Sequence, residues 1–129
     1  PARFAPRAQL VAGLLGVAVG QVMLTGIDDQ AGVGRLLPGL LVAGAASGVL
    51  NAALARKAVA SAPPGLASIG SGANNTARYL GAALGVTVIA VLATHPDPAS
   101  MIAGWNVAVL VNAGLSVVGA LLVLACRPR

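Results

Sequence analysis

Residues 98–126 read PASMIAGWNVAVLVNAGLSVVGALLVLAC, without a single Asp, Glu, Lys or Arg. A bilayer's hydrocarbon core is about 30 Å thick and an α-helix rises about 1.5 Å per residue, so roughly 20 apolar residues in a helix cross it. The intervals 8–27, 36–55 and 79–96 are likewise uncharged and dominated by Leu, Val, Ala and Gly. Spanning β-strands alternate in polarity over about ten residues, and no such alternation runs through these blocks. Helix is the remaining structure that satisfies its own backbone in lipid. The expected fold class is therefore all-α: a polytopic membrane protein with four transmembrane helices, forming one membrane segment over 1–129. Its helices are expected at about 8–27, 36–55, 65–94 and 101–126.

Composition agrees with that reading. Of 129 residues, 57% are hydrophobic and 9% charged, against about 25% charged in an ordinary soluble domain. The apolar content is almost wholly Ala, Val, Leu and Gly, a mixture suited to helices packed closely in lipid. Cys126 has no second cysteine to pair with, which excludes a disulfide scaffold. The high hydrophobicity excludes a disordered chain.

The charges, +5 in sum, sort by side when the chain is threaded four times through a membrane. Arg3, Arg7, Arg56, Lys57, Arg127 and Arg129 fall on one side, with Arg78 at its boundary. Asp28, Asp29, Arg35 and Asp97 fall on the other. By the positive-inside tendency, both ends of the segment are expected in the cytoplasm, in a multi-pass plasma-membrane protein. Solvated loop anchors are the simplest role for these arginines. Nucleic-acid binding is not expected, because basic residues are not interleaved with stacking aromatics.

Along the first span, Gly13, Gly16 and Gly20 recur at helical spacing, leaving a stripe of nearly bare backbone that a neighbouring helix can approach. Gln21 is a candidate for a substrate pathway or simply an interfacial amide. In the second span, Pro38 stands one turn in, where its missing N–H is tolerated, and Gly44 and Gly48 form a GxxxG packing face. Asn51 and, in the fourth span, Asn112 should turn inward, since an unpartnered amide in lipid is costly. Interhelical hydrogen bonding is favoured over substrate contact for both. Trp105 reads as an outer interfacial anchor, and His95 as a loop residue.

The interval 58–77 is uncharged but polar, with Pro63, Pro64, Asn74, Asn75 and Thr76. It reads as the first half of a long helix that starts after the prolines and crosses the membrane over about 79–94. Tyr79 would lie at headgroup level, and Arg78 would snorkel or pair with an acid from elsewhere. All three aspartates are on the opposite side.

The run from Gly65-Leu66-Ala67-Ser68 through Asn75-Thr76-Ala77-Arg78 to Leu80-Gly81-x-x-x-Gly85 resembles the penultimate helix of a fourteen-span drug:proton antiporter of the major facilitator superfamily. Leu80, Gly81, Gly85 and Val88 match the family's LGxxxG-type signature, with Thr87 replacing a small apolar residue. Arg3-Phe4-Ala5-Pro6-Arg7 resembles a basic cytoplasmic-loop motif of that family, Ala5 departing from glycine. Leu37-Pro38-Gly39-Leu40 resembles the start of its next helix. The resemblance covers nearly the whole chain and implies the last four helices of a multidrug efflux pump working by alternating access. It implies proton-motive force in place of a cofactor, and as partners the lipid bilayer, the remaining helices and small hydrophobic or cationic substrates. Asn75 joins Gln21, Asn51 and Asn112 as pathway candidates; Arg3, Arg7 and Arg78 become cytoplasmic gate candidates; Gly44, Gly48, Leu80, Gly81 and Gly85 become packing positions.

Enzymatic activity is not expected. There is no phosphate-binding GxxxxGK[ST] loop and no Ser-His-Asp arrangement, and one His with one Cys cannot build a metal cluster. No span holds a carboxylate, whereas proton coupling ordinarily uses a buried titratable group. A self-contained four-helix transporter should carry such an acid. A small non-transporting assembly subunit, or a degenerate transporter remnant, need not.

Overall fold

A computed structural model describes residues 6–28, 30–94 and 97–126. Arg3, Asp29, His95, Arg127 and Arg129 lie outside the described residues. Four helices follow one another: α1, Pro6–Met23; α2, Val33–Ala60; α3, Ala67–Ala93; and α4, Pro98–Ala125.

Helices α2, α3 and α4 are long and apolar enough to cross a membrane, whereas α1 is a shorter apolar helix. This corrects the expectation of four spans to three by length and composition. The physical reason is the end of α1. At 18 residues it measures about 27 Å, with Arg7 in its first turn. It stops at Met23 instead of running to 27, because Leu24 and Thr25 bond three residues back, to Gln21 and Val22. Gly26 then takes a positive φ of 69°, a left-handed conformation that ends helices.

The other boundaries follow local chemistry. In α4, the side chain of Asp97 accepts from the Ser100 N–H at 2.9 Å and Pro98 opens the helix, a standard N-terminal pairing. Pro38 sits inside α2 without breaking it; in the second turn it deprives only the Gly34 carbonyl of its partner. Between α2 and α3, Pro64 and Gly65 (φ 83°) make a tight turn closed by Leu66 N–H on the Pro63 carbonyl at 3.0 Å, the type II pattern with Pro then Gly at its centre. The hydroxyls of Thr87 and Ser116 bond the carbonyls four residues back, of Ala83 and Asn112, so neither is unpaired on an apolar helix.

Helix α1 makes the most extensive packing of the four. It packs antiparallel on α2 along the glycine stripe: a Cβ at Gly13 would stand 2.9 Å from Leu50 Cβ, at Gly16 2.8 Å from Ala46 Cβ, and at Gly20 2.5 Å from the Ala43 backbone nitrogen. Glycine is required at that last position, because any side chain would meet backbone. The other face of α1 packs on α4, where Leu14 reaches to 3.5 Å from the Cβ position of Gly119. Helix α3 touches α2 and α4, but among the described residues α1 does not meet α3 and α2 does not meet α4. The small core is correspondingly made of Leu10, Ala18, Leu24, Ala43, Ala53, Ala108, Val109, Ala113 and Ala120. No residue of α3 is buried.

Candidate functional site

One cleft within the helical stack lies between α3 and α4. It is a cleft of about 240 Å³ lined by Gly81, Leu84, Gly85 and Val88 from α3 and by Asn112 and Leu115 from α4, among others. Gly81 and Gly85 create the space: nothing stands within 4 Å of where their side chains would begin. Asn112 is half-buried and is the polar side chain of that lining. Its carbonyl accepts from Ser116, while its amide has no hydrogen-bond partner among the described residues. An apolar cleft with one free amide can seat an apolar molecule and orient it by one hydrogen bond.

Gln21 is half-buried on α1. It lies seven residues beyond Leu14, and Asn112 lies seven residues before Gly119, so the Leu14–Gly119 contact places the two amides level on adjacent antiparallel helices. Asn51 and Asn75 are exposed and line no part of the cleft. Gly44 and Gly48 point to open space on the outer face of α2, and Leu80 is 62% exposed. The close helix approach uses Gly13, Gly16 and Gly20 instead.

The arginines divide. Arg7 donates from Nε to the Val123 carbonyl at 3.0 Å and from Nη2 to the Leu124 carbonyl. These are among the last carbonyls of α4, which lack intrahelical donors and carry the negative end of the helix dipole. Arg78 is exposed in mid-α3, and its guanidinium stands 5.4 Å from the ring centroid of Tyr79.

A polar clamp that the local sequence does not announce closes the opposite end. Trp105 Nε1 donates to the Leu24 carbonyl at 3.3 Å. Asn106 Oδ1 accepts from the N–H groups of Gly26 at 2.9 Å and Ile27 at 3.4 Å, and its Nδ2 donates to the Ile27 carbonyl at 3.4 Å. Arg35 donates to the carbonyls of Met23 and Thr25 at 2.9 and 3.2 Å. The local signal was the Trp105-Asn106 pair opposite a glycine turn, but its partners lie about 80 residues away in sequence.

Among the described residues, no group of His, Cys, Asp and Glu is placed to hold a metal ion. No family model, no curated protein and no solved structure matches the chain.

Proposed function

We propose that this chain is a wall segment of a membrane transporter that exports small hydrophobic or cationic molecules in exchange for protons, by alternating access of a major-facilitator-type bundle. The observation that carries the reading is α3: an apolar helix with no buried residue, touching α2 and α4 but not α1. Its glycines open a cleft beside the lone Asn112 amide. Such a helix has one side committed and the other free for further helices or substrate. In this reading Gly44, Gly48, Gly81 and Gly85 supply smooth faces on which helices slide, and Asn112 marks the substrate side, with Gln21 level with it on α1. The coupling carboxylate comes from helices beyond this chain, and the segment works in the plasma membrane with Arg7 and Arg78 at the cytoplasmic face.

The test is accumulation of the lipophilic cation ethidium in cells with and without the gene, each with and without a protonophore. Higher accumulation on deletion, erased by the protonophore, is expected. Equal accumulation in all pairs would overturn the reading.

The absence of any carboxylate from the spans favours a second reading, a non-transporting membrane assembly subunit or transporter remnant. An antibody to the Cys126-Arg127-Pro128-Arg129 tail separates the two on denatured membranes. A product several times larger than 12.5 kDa supports the pump; a product of that size alone supports the subunit.

A further inference from the structure

The elbow joining α2 to α3 has a chemistry the transport reading does not use. Here the two backbones nearly touch: a Cβ on Gly70 would stand 2.6 Å from the Ala58 carbonyl oxygen. Beside that contact opens a groove of about 440 Å³, lined among others by Leu54, Lys57, Ser61, Leu66, Ile69 and Asn74. Its walls are apolar and open outward, Ile69 being 62% and Leu66 43% exposed.

Polar donors lie on both walls, Lys57 and Ser61 on the α2 side and Asn74 on α3. Lys57, in the last turn of α2, has no hydrogen-bond or ionic partner for its ammonium among the described residues. Its neighbour Arg56 is already engaged, donating to Gln9 Oε1 at 3.0 Å. The Ser61 hydroxyl and the Asn74 amide are likewise unengaged among the described residues. No acid stands in the first turn of α3. The groove therefore carries one unpaired cation and free donors among apolar side chains.

A groove of that kind on a membrane helix hairpin fits a ligand with an anionic head and an apolar tail. We propose that the α2–α3 elbow binds an anionic phospholipid, its phosphate at Lys57 and Ser61 beside Ile69 and an acyl chain running away from the elbow past Leu54. The lysine stem lies along apolar surface while its ammonium reaches the headgroup layer, where basic residues attract anionic lipid. The site requires only that the hairpin lie in a bilayer, so failure of the efflux test leaves it standing.

The test is native mass spectrometry of the protein purified from its own membranes, with dioleoyl phosphatidylglycerol or dioleoyl phosphatidylcholine added in turn. Phosphatidylglycerol should be retained preferentially. Lys57→Gln should lower that retention about fivefold, the effect expected of one basic residue near an anionic headgroup, without changing phosphatidylcholine; Lys57→Arg should restore it. Ile69→Trp fills the groove and should lower retention of both lipids, providing a second readout if the lysine variant does not fold. Unchanged phosphatidylglycerol retention in either variant, at wild-type helical content, would overturn the proposal. So would displacement of the lipid by glycerol 1-phosphate alone, which would mean a phosphate site without a lipid, or photo-crosslinking from position 69 to a protein in place of lipid.

Discussion

The guanidinium of Arg35, in the first turn of α2, donates from Nη1 to the carbonyl oxygen of Met23, the last residue of α1, at 2.9 Å. Its second nitrogen reaches the Thr25 carbonyl. Arg7 does the same at the other end of the stack, on the closing carbonyls of α4. Each basic residue lies against the negative end of a neighbouring helix, where its charge is favourable and otherwise orphaned acceptors are satisfied. Residues that by position alone read as topological anchors thus also tie helices together.

Arg35→Gln should therefore lower stability by about 1 kcal/mol, the worth of a charge-assisted bond reduced by exposure. Thermal unfolding in detergent would show it, and Arg35→Lys should recover part of the loss. A variant as stable as the parent would remove Arg35 from the cap.

Asn106 serves two N–H groups and a carbonyl in the turn after α1. Asn106→Leu keeps the branched heavy-atom shape and strands those groups. Amide hydrogen exchange at Gly26 and Ile27 should accelerate, with a stability loss of about 1–3 kcal/mol. Exchange that stays slow would show that the turn is held by Trp105 and Arg35 alone.

Two glycines on neighbouring helices should respond with opposite signs. Gly20→Ala drives a methyl into the Ala43 backbone and should destabilise by about 1–3 kcal/mol. Gly44→Ala meets nothing within 4 Å and should gain about 0.5–1 kcal/mol from helix propensity. Equal effects in unfolding assays would contradict the α1–α2 seam.

For the transport reading, Arg78 is the gate candidate with no carboxylate against it among the described residues. Arg78→Ala in the complete protein should reduce ethidium efflux several-fold while leaving its membrane abundance unchanged. Efflux at the parental rate would remove Arg78 from the gate.

Asn112 and Asn75 separate the cleft from the outer surface. With Cys126→Ser as background, Asn112→Cys should be protected from a bulky maleimide by bound substrate, since it lines the α3–α4 cleft. Asn75→Cys, outside the cleft, should show no protection. The reverse pattern would move the pathway to the exposed face of α3.

Helix identity was legible in the chain because hydropathy and the lack of charge are local properties. The α1 stripe was legible too: Gly13, Gly16 and Gly20 recur at a spacing that puts them on one face, and α2 lies there. The same reasoning applied to Gly44 and Gly48 identifies a face that nothing covers in this structure. A GxxxG pattern states that close approach is sterically allowed; whether a neighbour arrives depends on where the other helices go.

The sequence by itself determined an all-α chain of apolar helices with bare glycine faces, because residue size, polarity and helical period are set within each segment. Only the tertiary structure decided that the turn after α1 is held by Arg35, Trp105 and Asn106. It also decided that Arg7 and Arg35 cap neighbouring helices and that α3 stands apart from the core with a cleft beside Asn112. These depend on groups about 10 to more than 100 residues apart meeting at 3 Å, and no local pattern encodes that meeting.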